Sequence, residues 1–139
     1  MGDRLRAFHL WLGWGTFAIF LGTGLYMASA FPEAYSGQEA VRYLYRANHV
    51  YILFAALLNL TLGFRPSEAG ERGKLQTAGS VLIAAAVPLL VSAFFLEPAK
   101  ASPERPLTLF GIVFAAAGTG LHGTAAALRR RRARQPAPL

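Results

Sequence analysis

The sequence predicts an all-α integral membrane protein: a bundle of four transmembrane helices, consecutive helices antiparallel, both termini cytoplasmic. Three observations predict it. Only 15% of the 139 residues are charged and 54% are hydrophobic, whereas a soluble domain carries about 25% charged residues. The charges are bunched, leaving four uncharged runs, Ala7–Phe31, Ala47–Phe64, Leu75–Leu96 and Pro106–Leu128, of 25, 18, 22 and 23 residues. A bilayer core about 30 Å thick is crossed by about 20 helical residues rising about 1.5 Å each. In lipid every backbone N–H and C=O must be paired internally, so runs of this length are helices. Barrel strands would alternate over about 10 residues, and no such alternation occurs. The absence of cysteine excludes disulfides, thiol catalysis and cysteine-ligated zinc or iron–sulfur centres.

The elements follow in order. Span 1 covers about 7–31. Arg4 and Arg6 precede it and Ala28-Ser29-Ala30 closes it, the outline of a secretory signal. A signal's apolar region runs only about 7–15 residues, so this helix is expected to be retained. Ser36-Gly37-Gln38-Glu39 has the form of a capping box, which starts helix 2 ahead of its span at about 44–64. Its first turns carry Glu39, Arg42 and Arg46 at spacings suited to mutual pairing. Pro66, Gly70 and Gly73 mark the next turn, and span 3 follows at about 75–96. Pro88 lies inside it and should kink it, freeing the carbonyl of Ala84. Pro98 and Pro103 mark the third connection, and span 4 follows at about 106–128. Residues 1–128 therefore form one domain, and 129–139 form a basic, proline-containing tail.

Orientation follows from the cations. The N-terminus, the second connection and the tail hold ten Lys and Arg residues, whereas the first and third connections hold four, Arg42, Arg46, Lys100 and Arg105. The positive-inside rule then places both termini in the cytoplasm, and a bacterial inner membrane is the expected location. Tyr26, Tyr35, Tyr43, Tyr45 and Tyr51 fall near the outer interface and Trp11 and Trp14 near the inner one, as amphipathic rings favour headgroup depth. Arg129, Arg130, Arg131, Arg132 and Arg134 beside the last span read as a topology lock and a contact for anionic lipids. A nucleic-acid patch would need interleaved aromatics or a folded module, so nucleic acid is not an expected partner.

Ionisable residues within spans are the default candidates for function. All seven carboxylates lie outside the uncharged runs, leaving His9, His49 and His122. Proton-coupled transport uses a buried acid or histidine, so the small-exporter arrangement with a membrane carboxylate is disfavoured, and no membrane carboxylate pair is left for hydrolysis. His9 lies roughly 4–5 Å and His122 roughly 10 Å from the inner boundary, so they share a leaflet, while His49 lies near the other face. His9 shares a helical stripe with Gly13, Thr16, Phe20, Thr23, Gly24 and Met27, and His122 shares one with Thr108, Gly111, Ala115, Gly118, Thr119 and Ala126. One reading is that Gly13, Gly24, Gly111 and Gly118 are where membrane helices approach closely. The other is that glycines open room for a flat cofactor, with His9 and His122 as axial ligands of haem b. Asn48 and Asn59 lie eleven residues apart on helix 2 and read as interhelical hydrogen-bonding residues, Asn59 toward Gln76 or Ser80.

The segment His9-Leu10-Trp11-Leu12-Gly13, with Thr23-Gly24-Leu25 further on, resembles the opening helix of small membrane b-type cytochromes and of peptidase-propeptide-type (PepSY) membrane helices, in which the His–Gly spacing and the downstream Thr-Gly recur. The resemblance covers one helix of four and implies a haem ligand at His9. Three functions are then expected, in this order. The first is a non-enzymatic accessory, assembly or structural subunit acting through helix packing, with a second copy or another membrane protein as partner. The second is a haem b electron-transfer protein, and the third a small dimeric solute transporter.

Overall fold

A computed structural model describes residues 2–65, 73–98 and 104–133. The described residues form four α-helices and no strand: α1 (Gly2–Ala34), α2 (Glu39–Phe64), α3 (Lys74–Leu96) and α4 (Pro106–Ala133). All four are long and apolar enough to cross a membrane. Each uncharged run lies inside one helix, and α1 and α4 extend beyond theirs because Arg4, Arg6 and Arg129–Arg131 continue the helical backbone. The basic segment therefore begins as helix rather than as an extended tail, and Arg134 lies outside the described residues.

Pro32 stands in the last turn of α1, where its missing N–H weakens the ladder. The chain then reverses through Gly37, whose φ of +74° is the left-handed backbone that favours glycine, and Gln38 N–H donates to Tyr35 O at 3.1 Å. The expected capping box does not form. The helix starts two residues late, so Gln38 rather than Ser36 occupies the cap position, without a side-chain bond. That puts Glu39 in the first helical turn, where its carboxylate accepts from Arg42 Nη1 at 2.9 Å. Arg46 makes no ion pair among the described residues. In α3 the helix runs unbroken through Pro88.

The chain is two antiparallel hairpins, α1–α2 and α3–α4, joined along α2 and α3; α1 and α4 do not pack on each other among the described residues. Both ends of the described chain and the α2–α3 connection lie at one end of the bundle, here the proximal end. The α1–α2 and α3–α4 connections lie at the distal end. The core has two parts. The distal one is aromatic, with Phe31, Val41, Tyr45, Ile52 and Phe94. The central one is small and aliphatic, with Ala55, Ala86, Val87, Leu90 and Ala115.

Glycine sets the interhelical spacing. In the first hairpin a Cβ on Gly13 would meet Leu60 Cγ at 2.8 Å, and one on Gly63 would meet Leu10 Cγ at 2.6 Å, so each glycine receives a leucine. In the second, a Cβ on Gly79 would stand 2.8 Å from Gly118 O, and one on Gly118 would stand 2.7 Å from Gly79 O. There the two backbones touch, the arrangement that small residues permit in membrane helix pairs. Gly111 receives Leu90 in the same way, at 2.6 Å.

Candidate functional site

Apart from Thr16, which bonds back to Leu12 O within α1, the buried polar side chains among the described residues are gathered at four places, each between neighbouring helices. At the proximal end of the first hairpin His9 is 1% exposed and its Nδ1 lies 2.8 Å from Asn59 Oδ1. Asn59 donates its Nδ2 hydrogen to Ala55 O at 2.9 Å, so its oxygen faces His9 and the imidazole Nδ1–H is the donor. In the neutral ring the lone pair then belongs to Nε2. Arg6 Nε donates to Gly63 O at 3.3 Å one turn away. Asn59 is thus bonded to α1, not to Gln76 or Ser80 on α3 as its depth suggested. Depth alone does not tell which neighbour a buried face of α2 meets.

The distal end of the same hairpin repeats the pattern. Thr23 Oγ1 donates its one hydrogen to Phe20 O at 2.9 Å, so at 3.0 Å from His49 Nδ1 it accepts from an Nδ1–H. Phe20 stacks on the His49 ring with centroids 4.1 Å apart and an 18° interplanar angle. A Cβ on Gly24 would reach His49 Cε1 at 3.2 Å, so this glycine makes room for the ring. His9 and the Thr23 level are fourteen residues apart on α1, about 21 Å, so the two imidazoles occupy opposite ends.

In the second hairpin His122 Nε2 lies 3.3 Å from Ser80 Oγ, and the ring packs over Gly79. His9 and His122 are at similar depth, yet they are not brought together. Each faces the inner helix of its own hairpin, and α2 and α3 lie between them. Among the described residues no group of three or more His, Asp or Glu side chains could hold one metal ion.

The fourth cluster was not visible as a site in the sequence. Glu97, just past the end of α3, is 6% exposed. One carboxylate oxygen accepts from Leu107 N–H at 2.7 Å and Thr108 N–H at 3.1 Å. These are the free donors of the first turn of α4, where Pro106 supplies none. The second oxygen is hydrogen-bonded by the Thr108 hydroxyl and lies 3.7 Å from Arg105 Nε. Asn48, 1% exposed, donates Nδ2–H to Ala93 O at 2.9 Å. Its Oδ1 is hydrogen-bonded by Arg105 Nη2 and lies 3.1 Å from Thr108 Oγ1. Thr108 has one hydroxyl hydrogen, and the ionised carboxylate is the stronger acceptor, so Arg105 is the main donor to Asn48. This network fastens α2, α3 and α4 together. The signal for it was a carboxylate beside Pro98 and a Pro at the start of a helix, whose positive end favours an anion.

The chain matches no known family model, no curated protein and no solved structure.

Two surface depressions, of about 390 and 320 Å³, are lined by Gly123, Ala126, Ala127, Arg130 and Arg131 of α4 and by residues of α1 and α2 at the distal end. Neither touches a histidine. Arg130 and Arg131 are exposed on α4, and the side chain of Arg132 lies outside the described residues.

Proposed function

We propose that this chain is a multi-pass protein of a bacterial inner membrane, both termini cytoplasmic, that works as a non-enzymatic accessory or assembly subunit through helix packing. The observation that carries the reading is the division of its helical glycines. Gly13, Gly63, Gly79, Gly111 and Gly118 are filled by a neighbour, whereas Gly15, Gly22, Gly120 and Gly123 have nothing within 4 Å of a built Cβ. The open glycines align with exposed Ala18 on α1 and with exposed Ala116 and Ala127 on α4, at spacings of three and four residues. A glycine inside a helix costs about 1 kcal/mol relative to alanine, and close approach of another helix offsets that cost. The α4 stripe also borders the 390 Å³ depression at Gly123 and Ala127.

Orientation is supported by the cations. The antiparallel arrangement collects Arg4, Arg6, Arg65, Lys74 and Arg129–Arg131 at the proximal end, the cytoplasmic side by the positive-inside rule. Reporter fusions to the two ends should report the same side. Energy transfer between labelled copies in bilayers tests the packing role. Gly15→Leu with Gly22→Leu, or Gly120→Leu with Gly123→Leu, should lower association while leaving the thermal stability of the single chain unchanged. Association unaffected by both pairs overturns the reading.

A second reading, haem b binding, is supported by the Nδ1–H of His9 being held by Asn59. This is how ligating imidazoles are oriented with Nε2 toward the metal. Holding haem between His9 and His122 requires both rings to leave α2 and α3, which lie between them, and His122 Nε2 to exchange Ser80 for iron. A Soret band in protein purified from haem-replete cells, removed by His9→Ala, is the expected result of this reading. Colourless protein ends it.

A further inference from the structure

The distal depression of about 320 Å³ is lined by Met27, Ala28, Phe31 and Pro32 of α1 and by Arg42 and Arg46 of α2. Four lining residues are apolar and two are cationic, and the cations are one helical turn apart. Like charges at that spacing repel. Among the described residues one carboxylate answers them: Glu39 binds Arg42 Nη1 at 2.9 Å, and it is itself 73% exposed, which leaves the pair weak. Arg42 Nε is buried and has no acceptor among the described residues, while the guanidinium carbon stands 6.0 Å from the centre of the Phe31 ring. Arg105, the other cation described at this end, is committed to Glu97, Asn48 and Thr108. A partly desolvated cation, Arg42, with an exposed second one, Arg46, a turn away beside an apolar wall calls for an anion carrying an apolar chain.

We propose that this groove binds one anionic phospholipid of the distal leaflet, its phosphate between Arg42 and Arg46 and the start of an acyl chain along Met27, Ala28 and Phe31. Guanidinium groups grip phosphate oxygens through paired, charge-assisted hydrogen bonds, and a phosphate oxygen supplies the acceptor that Arg42 Nε lacks. The volume lies at the lower end of the range of about 300–1,000 Å³ for ligand pockets, enough for a headgroup and the first carbons of a chain. The setting is interfacial. The hydroxyls of Tyr26 and Tyr35 lie 3.4 Å apart, and those of Tyr35 and Tyr45 lie 3.0 Å apart, beside the groove, at the depth where tyrosines meet headgroups. The site is at the opposite end of the bundle from the basic stretch of α4. It rests on the membrane reading above.

Native mass spectrometry of the full chain, released from vesicles of mixed phosphatidylglycerol and phosphatidylcholine, tests it. The expected result is one retained phosphatidylglycerol, preferred about 10-fold or more. The preference should be lost in Arg42→Gln with Arg46→Gln and kept in Arg65→Gln with Lys74→Gln, two exposed cations of the proximal end. Ala28→Trp fills the groove from an exposed position without changing charge, and it should release the lipid too, which keeps the test decisive if the arginine variant misfolds. Equal retention of the two lipids, or retention unchanged by both groove variants, overturns the proposal. Displacement of the lipid by excess inorganic phosphate also overturns it, by showing a site for free phosphate. Failure of the chain to enter vesicles at all refutes the membrane reading instead.

Discussion

The two hairpins solve the same problem, holding apolar helices together where apolar burial gives little preference for one neighbour over another, in different ways. Along α1–α2 Gly13 and Gly63 each receive a leucine, side chain first and backbone just behind it: the built Cβ of Gly13 stands 2.9 Å from Leu60 N and that of Gly63 3.0 Å from Leu10 N. Hydrogen bonds from His9 to Asn59 and from His49 to Thr23 stand near the two ends of the interface. Along α3–α4 the closest contact is backbone on backbone at Gly79 and Gly118. The polar contacts of this hairpin stand at two levels, His122 beside Ser80 next to the seam and, at the connection, Glu97 capping the start of α4. Spaced polar pairs resist sliding of one helix on the other. A tight glycine seam with a capped turn fixes distance and angle, and no side chain lies between the seam's backbones to rotate away.

The largest expected effect tests that last point. Gly118→Val drives a branched side chain into Gly79 O and Ile83 and should cost about 3 kcal/mol, read as a loss of thermal stability in detergent. Gly13→Val, whose Cβ meets Leu60 Cγ at 2.8 Å and Leu60 N at 2.9 Å, should cost less, about 2 kcal/mol, because the leucine side chain can turn aside in part. Equal losses would erase the distinction between the hairpins. Next comes Glu97→Ala, which strips two N–H groups at the start of α4 of their acceptor and Arg105 of its carboxylate. About 2 kcal/mol is expected, with faster hydrogen exchange at Leu107 and Thr108. His9→Ala and Asn59→Ala should each cost about 1 kcal/mol and, combined, scarcely more than one alone. The coupling in a double-mutant cycle reads the bond directly. Smallest is Gly24→Ala, where the neighbour is the His49 ring at 3.2 Å. A cost of about 0.5 kcal/mol is expected, with a shift in the His49 ring resonances.

Much of the fold was legible, because charge placement and run length do not depend on neighbours. The four runs became four helices; a Cβ on Gly13, Gly111 or Gly118 would stand within 3 Å of a neighbouring helix, and one on Gly24 would stand 3.2 Å from the His49 ring. The site was less legible. The stripes of His9 and His122 looked alike, and only packing shows that they face α2 and α3 rather than each other. Asn59 had partners of suitable depth on two sides, and α1 supplied the one it uses. Glu97 read as a loop carboxylate, since nothing local marks a side chain that folds back onto a helix ten residues ahead. The capping box had the right letters, but the left-handed Gly37 moved the helix start past Ser36.

By itself the amino-acid sequence determined how many helices form and which uncharged run each contains. Those follow from backbone hydrogen bonding and from the cost of placing charge in an apolar phase, both local quantities. Which buried polar group meets which, and which glycines are filled and which stay open, was decided only by the tertiary structure. Such pairings depend on the rotation and register of whole helices against one another, and a few interhelical contacts of about 1 kcal/mol each select among them.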